Sequence, residues 1–431
     1  MSHGTIFALV SGAGRAALSV LRLSGPEAGN VLQVIAGRLP EPRHASLRRL
    51  RNAQGETLDE ALVIWFPAPA SYTGEDVAEL HLHGGPAVLR GVTDALVTLG
   101  TRPAEAGEFT RRAFLHGRLD LTQAEGIADL IAADTDEQRR QALAQAGGAL
   151  SRRSAIWTAQ CAGLLAHQEA AIEFAEDELP NDLAQRAQAG ARMLSAEIKA
   201  ELAQATRGER LRAGLTIAIL GAPNAGKSSL LNALVEREAA IVSPFAGTTR
   251  DVIEISLDLG GIPVTFCDTA GLRDADDAIE AEGVRRALAR AGTADLRLVL
   301  FAADAKPDAA TLALLGADAI VIGTKSDLGP PAMVGALPVS TRTGLGLDIL
   351  RARLTAAAAA RAGVGGVLTR PRHRAALGEA VHWLDEAAQA HLPELSAEAL
   401  RAALRALGRL SGKVDVEAIL DIVFNEFCIG K

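Results

Sequence analysis

The sequence has few cysteines, no long apolar run and no excess of positive charge. Its three cysteines, Cys161, Cys267 and Cys428, lie far apart and form no CxxC pair, which argues against a disulfide framework and against a zinc site. No stretch approaches the roughly 18 uninterrupted apolar residues that span a bilayer, and no basic region precedes the short apolar run near the N-terminus. We therefore expect a cytoplasmic protein in a reducing compartment, without membrane association.

The net charge of −8 excludes a chain that binds nucleic acid through overall positive charge. Local basic patches remain open, because arginine pairs occur at 48–49, 111–112, 139–140 and 152–153. We interpret such scattered pairs as exposed faces of helices. A length of 431 residues exceeds one core of ordinary size and predicts two or three domains.

Hydrophobic patterning divides the chain into α/β and helical parts. The first part predicts a helix at 86–99 and strands at 5–10, 17–23, 62–66 and 78–83. An alanine-rich helical pattern follows from 120 to about 210, with a break near 179–182, and a second helical pattern covers 372–427.

Between the two helical blocks, the pattern alternates strands with helices, as in a parallel α/β domain. Its predicted strands are 215–220, 253–259, 262–267, 296–301 and 318–323. We expect this domain to be inserted into one helical domain built from both flanks, because domain termini often lie close together. The alternative is two separate helical domains.

A phosphate-binding loop is predicted where the first of these strands ends. The pattern is Gly221-x-x-x-x-Gly226-Lys227-Ser228, preceded by an apolar strand and followed by a helical run. Glycines allow the backbone N–H groups to curl around one anionic group, and the positive end of the next helix favours negative charge. Lys227 is expected to reach the β- and γ-phosphates, and the Ser228 hydroxyl to hold Mg²⁺.

Three later motifs indicate that the nucleotide is GTP. Gly247-Thr248-Thr249-Arg250, Asp268-Thr269-Ala270-Gly271 and Thr324-Lys325-Ser326-Asp327 follow in the order of GTPase elements. Thr249 can complete the Mg²⁺ shell, Asp268 can steady the ion, and the Gly271 N–H can sense the γ-phosphate. The Asp327 carboxylate can accept two hydrogen bonds from guanine, which adenine cannot supply.

Two positions depart from the usual GTPase motifs. Thr324 stands where asparagine is usual, and we expect the shorter side chain to weaken the tie between the base loop and the phosphate loop. Leu272 stands where Ras-like enzymes carry a water-orienting glutamine, and leucine cannot orient water. Another group must do so, and the residues alone leave the candidates open: Asp274, Asp276, Asp277, Glu280 and Glu282.

With these motifs, the whole chain resembles the MnmE (TrmE) family of tRNA-modification GTPases. The resemblance also includes Leu21-Arg22-Leu23-Ser24-Gly25, the stretch from Ser71 to Gly85, residues 107–125 and the terminal Cys428-Ile429-Gly430-Lys431. It implies a multidomain α/β plus all-α fold with an inserted Ras-like P-loop G domain. The implied boundaries are 1–118 (folate-binding α/β domain, dimerising), 119–210 and 369–431 (helical domain), and 211–368 (G domain).

The resemblance implies how GTP is held and hydrolysed. The implied GTP contacts are Asn224, Ala225, Gly226, Lys227, Ser228, Ser229, Ser243, Pro244, Phe245, Ala246, Gly247, Thr248, Thr249, Asp268, Thr269, Ala270, Gly271, Thr324, Lys325, Asp327, Ser340, Thr341 and Arg342. K⁺, held at Asn224, Ser243, Phe245 and Thr248, takes the role that an arginine finger has elsewhere. The implied water-organising carboxylate is Glu280.

The resemblance also implies a one-carbon reaction on tRNA. A 5,10-methylene- or 5-formyl-tetrahydrofolate is expected at Arg22, Glu79, Arg118 and Lys431, with arginine in place of lysine at 118. The family implies a homodimer and an FAD-containing partner similar to MnmG, which together modify C5 of the wobble uridine of certain tRNAs. Cys428 matches a cysteine needed for modification; a buried structural thiol is the alternative.

Two other functions fit parts of these observations. An RNA-binding GTPase of ribosome assembly would share the G domain, although the helical tail carries no basic Gly-x-x-Gly RNA-clamping loop. A folate-dependent transferase with a regulatory G domain is the other alternative.

Overall fold

A computed structural model describes residues 4–173, 183–236, 240–241, 254–268, 292, 294–363, 366–414, 420, 423–424, 427 and 430. The chain divides into two compact units. The first consists of Met1–Ala128, Ala146–Thr158 and Leu407–Lys431, and the second of Asp129–Gln145 and Ala159–Ala406.

The first unit is built on a mixed sheet with the strand order β3-β4-β5-β2-β1-β6. Its strands are β1 (Ile6–Leu9), β2 (Leu18–Ser24), β3 (Ser46–Arg51), β4 (Thr57–Phe66), β5 (Val77–His83) and β6 (Arg102–Pro103). Neighbouring strands run antiparallel except for β1 and β6, which are parallel. Its complete helices are α1 (Ala28–Ala36), α2 (Pro86–Thr98) and α3 (Glu108–Leu115).

Alternation along the strands gives the two faces of this sheet different chemistry. Leu21, Leu23, Leu80 and Leu82 are buried in a core shared with residues of α1 and α2. Because side chains alternate along a strand, Arg22 and Glu79 lie on the opposite face. The sequence of β2 and β5 therefore places a charged pair on the face away from the α1–α2 core.

The second unit contains a sheet with the order β13-β12-β11-β7-β10-β9-β8. Its strands are β7 (Leu215–Gly221), β8 (Ala240–Ile241), β9 (Glu254–Asp258), β10 (Pro263–Asp268), β11 (Leu296–Ala302), β12 (Ala319–Thr324) and β13 (Leu337–Pro338). Five neighbouring strands pair in parallel, in the order β10, β7, β11, β12 and β13. Strand β9 is antiparallel to both β8 and β10. This is a largely parallel sheet with β7 near its centre.

The other described helices follow in chain order. They are α4 (Leu121–Ala132), α5 (Asp136–Ala146), α6 (Ala149–Glu173), α7 (Leu183–Ala213), α8 (Lys227–Val235), α9 (Ala309–Leu312), α10 (Leu347–Arg361), α11 (Pro371–Gln389) and α12 (Pro393–Ser411). Along α7 and α11, Asp385 accepts hydrogen bonds from Ser195 and Lys199, at 2.6 and 2.8 Å. The predicted helical blocks on both sides of the α/β segment are thus present.

Three local predictions differ from the structure. Arg48 and Arg49 lie on β3 rather than on a helix, and β3 was missed because Leu50 is its one buried residue, so the strand shows no apolar alternation. Helix α1 was also missed. Helix α10 (Leu347–Arg361) was not among the predicted elements. Among the helices that the structure describes, none combines the length and apolar character needed to cross a bilayer.

Candidate nucleotide site and sheet-face site

The phosphate loop leaves the central strand β7 and ends at the first residue of α8. Gly221 has a φ of +153° and Gly226 a φ of +87°. A Cβ on Gly221 would lie 2.8 Å from the Leu300 carbonyl oxygen. Asn224 also has a positive φ, +60°, which asparagine tolerates better than most residues. The loop thus requires glycine at Gly221 for space and at Gly226 for conformation.

Lys227 lies inside this loop. Its side chain is almost fully buried, and Nζ donates to the carbonyl oxygens of Gly221 and Ala222, both at 2.9 Å. Ser228 follows it in the first turn of α8. An ammonium group and a helix N-terminus therefore converge where the sequence predicts phosphates.

Thr324 connects the loop of the Thr-Lys-x-Asp motif to the phosphate loop. It ends β12 and is buried, and its Oγ1 donates to the Ala225 carbonyl oxygen at 2.7 Å. The tie that we expected the shorter side chain to weaken is therefore made by the threonine hydroxyl itself. The effect of threonine at position 324 on GTP affinity stays a prediction.

The predicted guanine-recognising residues are also brought together. The fully buried Ser340 donates from Oγ to Oδ1 of Asp327 at 2.7 Å, and this hydrogen bond lowers the pKa of Asp327 below its usual value. Lys325, whose φ is +55°, pairs with Asp304 at 2.7 Å. Thr341 and Arg342 follow Ser340 in an exposed turn. Asp327 is thus held as a carboxylate, the form that accepts from guanine.

A cavity of about 170 Å³ adjoins the phosphate loop. It is lined by Ala222, Asn224, Asp304 and Lys325, among others. This volume is below the roughly 300–1,000 Å³ of complete small-molecule sites, so the cavity accounts for only part of a nucleotide. The predicted motif residues that follow β8 and β10 lie outside the described residues.

Asp268 is the last residue of β10 and is paired with Ile219 of β7. Its backbone therefore reaches the same edge of the sheet as the phosphate loop. Further predicted residues lie outside the described part of the chain: Ser243, Pro244, Phe245, Ala246, Gly247, Thr248, Thr249, Arg250, Thr269, Ala270, Gly271, Leu272, Glu280, Cys428 and Lys431. Within the described part, no group of three or more histidine, cysteine, aspartate or glutamate residues is arranged to hold a metal ion.

The face of the first sheet opposite the α1–α2 core carries the predicted folate contacts Arg22 and Glu79. They lie directly opposite one another on β2 and β5, and Arg22 donates from Nε and Nη2 to Glu79 Oε1 at 3.0 and 2.8 Å. Both side chains are partly exposed, at 18% and 17%. Both of these hydrogen bonds go to Oε1 of Glu79 and none to Oε2.

Three residues that sequence reasoning did not select surround this pair. The rings of Tyr72 and Phe109 lie 5.2 and 5.8 Å from the Arg22 guanidinium carbon, and His81 Nε2 is 3.5 Å from Glu79 Oε2. Burial raises the pKa of the Tyr72 hydroxyl, against the opposing effects of Thr110 and Arg22. His81 could have been found from its spacing, because it follows Glu79 by two positions on one strand.

The other two predicted folate contacts are placed less completely. Arg118 is exposed and lies against the loop that contains Tyr72, since a Cβ on Gly74 would be 3.3 Å from Arg118 Cγ. Gly430 packs on the end of β1, where an added Cβ would lie 2.2 Å from the Leu9 carbonyl oxygen. Lys431 itself lies outside the described residues.

A central strand that leads into a phosphate loop, tied to a Thr-Lys-x-Asp loop, defines a P-loop protein of the GTPase class. Two family models match the chain: the MnmE helical domain over residues 121–428 and the TrmE N-terminus over residues 5–118. The chain belongs to the MnmE (TrmE) family of tRNA modification GTPases.

Curated relatives match along nearly the whole chain. The tRNA modification GTPase MnmE of Gluconacetobacter diazotrophicus is 56% identical over 99% of this chain and 98% of its own length. The protein of the same name from Granulibacter bethesdensis is 54% identical over 100% of both chains. The G domain of the T. maritima iron transporter FeoB is 22% identical over 33% of this chain and 98% of that chain, with a TM-score of 0.24.

Proposed function

We propose that this chain is a GTPase that acts in tRNA modification. Together with an FAD-containing partner similar to MnmG, it adds an aminomethyl or carboxymethylaminomethyl group to C5 of the wobble uridine, position 34, of certain tRNAs. The observation that carries the GTPase part of this proposal is the hydrogen bond from Thr324 to Ala225. It joins the predicted phosphate and guanine loops in a chain 56% identical to a tRNA modification GTPase along nearly its whole length.

The described residues fit a guanine nucleotide. Lys227 leaves its two loop carbonyls for the β- and γ-phosphates, the backbone N–H groups of the loop and of α8 bind phosphate oxygens, and Asp327 selects guanine. Ser228 and Thr249 would hold Mg²⁺, and Asn224, Ser243, Phe245 and Thr248 would hold K⁺. These ions supply positive charge for the transition state. Glu280, the residue that the family resemblance indicates, orients the attacking water, a role that Leu272 cannot fill.

The Arg22–Glu79 pair fits a folate. Glu79 Oε2 can accept from the amino-pyrimidine edge of a pterin, and the Arg22 guanidinium holds the carboxylate in place through Oε1. Arg118 and Lys431 are cations suited to the glutamate tail. The bound 5,10-methylene- or 5-formyl-tetrahydrofolate supplies the one-carbon unit. Cys428 acts in the modification reaction.

The domain boundaries 1–118, 119–210, 211–368 and 369–431 are part of the same proposal. The protein works as a homodimer in the cytoplasm, where GTP, folate and tRNA occur together.

The dependence of GTP hydrolysis on the monovalent cation tests the catalytic part. Hydrolysis is measured in matched K⁺ and Na⁺ buffers, with wild type and Glu280→Ala. We expect faster turnover in K⁺, and for Glu280→Ala a loss of turnover with GDP affinity retained. Equal rates in the two buffers exclude K⁺ as an activator, and full turnover in Glu280→Ala excludes that residue as the water-orienting group.

A further inference from the structure

One largely buried carboxylate in the second unit binds two arginines that are distant in sequence. Oδ1 of Asp129 accepts from Arg212 Nε at 2.7 Å and from Arg370 Nη2 at 2.9 Å. The exposed fractions of the Asp129 and Arg370 side chains are 11% and 6%. The two cations are thus fixed on one oxygen, away from most of the solvent.

These arginines mark the two connections of the nucleotide-binding segment. Arg212 lies in the last turn of α7, three residues before β7 begins and leads to the phosphate loop. Arg370 directly precedes α11, the first helix after that segment. Asp129, near the end of α4, therefore ties the chain that enters the segment to the chain that leaves it.

Neighbouring contacts strengthen this junction. Gln138 and Gln141 of α5 donate to the carbonyl oxygens of Arg212 and Gly208, at 2.9 and 3.1 Å. Gly208 leaves no room for a side chain, because a Cβ there would lie 2.3 Å from the Leu368 carbonyl oxygen. The last turns of α7 and the chain around Leu368 are therefore packed directly against one another.

The same end of α7 is joined to the sheet that carries the phosphate loop. Arg210 pairs with Asp295 at 2.9 Å, and the other carboxylate oxygen of Asp295 accepts from the Thr216 backbone N–H at 3.0 Å. Thr216 lies near the start of β7, and the phosphate loop follows its end. At about 3.3 Å per residue, the seven residues of β7 separate the start of the strand from the phosphate loop by about 20 Å.

We propose that Asp129 is a positioning residue for tRNA modification: it transmits the nucleotide state of the phosphate loop to the helices through Arg212 and Arg370. The inference rests on the proposed function. Asp129 is too far from the phosphate loop to touch the nucleotide. Removal of its charge should therefore separate GTP hydrolysis from modification rather than abolish hydrolysis.

The test compares Asp129→Asn with Arg212→Gln, a milder change at a more exposed member of the cluster. Asp385→Asn is the matched control. It removes the ion pair between Asp385 of α11 and Lys199 of α7, which lies farther from the junction. GTP turnover and the wobble-uridine modification level are measured for each variant. Hydrogen exchange of peptides 121–146 and 366–389 is followed with GDP and with a non-hydrolysable GTP analogue.

We expect both cluster variants to keep GTP turnover within about threefold while modification falls about tenfold or more, a factor typical of coupling between sites. The difference in exchange between the two nucleotides should disappear in both peptides. The control should keep modification and that difference. The inference would be overturned if GTP turnover and modification changed by the same factor in both cluster variants, or if both variants lost GTP turnover. If wild type modifies no tRNA, the proposed function fails, and the exchange difference still tests the link.

Discussion

The two candidate sites are encoded in different ways. The phosphate loop and its lysine come from one continuous stretch, between the end of β7 and the start of α8. Arg22 and Glu79 are 57 positions apart and meet because β2 and β5 pair in one register. The first site consists largely of backbone groups whose geometry glycine permits locally, whereas the second consists of side chains that depend on long-range pairing.

This difference predicts different sensitivities. A backbone site tolerates substitution except at its glycines and its lysine, because the N–H groups do not depend on side-chain identity. A cross-strand ion pair depends on both partners, since removal of one leaves a partly buried charge. Substitutions at the two sites should therefore separate nucleotide hydrolysis from the proposed folate binding.

The largest expected effect is that of Lys227→Ala. Loss of an ammonium group within the phosphate loop should lower kcat/KM for GTP hydrolysis by about 100- to 1,000-fold, as for removal of one preorganised transition-state contact. Tetrahydrofolate affinity should not change. Lys306→Ala, at an exposed lysine on the rim of the neighbouring cavity, is the control and should keep near-normal turnover. Wild-type turnover in Lys227→Ala would contradict the assigned role.

Arg22→Met probes the other side of the comparison. Loss of two charge-assisted hydrogen bonds to Glu79, about 1.5–3 kcal/mol, should weaken tetrahydrofolate binding about 10- to 100-fold and leave GTP hydrolysis intact. Binding is measured by calorimetry. Arg49→Met is the control, because Arg49 and Glu60 form a similar cross-strand pair with both side chains more than half exposed. Equal losses in the two variants would show that the effect is structural.

A smaller effect is expected from Thr324→Val, which removes one buried hydroxyl and leaves the Ala225 carbonyl oxygen without that donor. A buried hydrogen bond of about 1 kcal/mol predicts GDP affinity about fivefold lower. Fluorescence titration with a labelled GDP measures it. Thr324→Ser keeps the hydroxyl and should bind as wild type does; a loss in the serine variant equal to that in the valine variant would rule out the hydrogen bond as the cause.

The smallest effect is expected from Ser340→Ala, and it depends on pH. Because the Ser340 hydroxyl lowers the pKa of Asp327, its loss raises that pKa towards the usual value. A carboxyl whose pKa is lowered in the folded protein contributes to stability above its ordinary pKa. It loses this contribution as the pH falls through the lowered pKa. At pH 7, the GDP affinity of Ser340→Ala should be about twofold lower than that of wild type, as for the loss of an exposed polar contact. On acidification, the affinity of the variant should begin to fall at a higher pH than that of wild type. Superimposable pH profiles for variant and wild type would contradict this.

The sequence predicted the nucleotide-binding sheet closely, because its longer parallel strands are mostly apolar runs. The run at 296–301 became Leu296–Ala302, and that at 318–323 became Ala319–Thr324. The phosphate loop was equally predictable, since its glycines and lysine are adjacent along the chain.

Features that arise from long-range pairing were not predictable in the same way. Glu79 on its own is indistinguishable from an exposed strand residue, and only the resemblance to a family selected it. Tyr72 and Phe109 were missed as neighbours of Arg22 because they lie in a loop and in helix α3, distant from Arg22 in sequence. Asp129 was missed because its partners follow it by 83 and 241 positions. β3 was missed because an edge strand with one buried residue lacks an apolar pattern.

The most direct test of the central claim is the modification level of wobble uridine in tRNA from a strain that lacks this chain. Nucleosides from purified tRNA are quantified by mass spectrometry after complementation with wild type or with Lys227→Ala. We predict that C5-modified uridine is lost in the deletion strain, restored by wild type and not restored by Lys227→Ala. Normal levels of the modified uridine in the deletion strain would contradict the account.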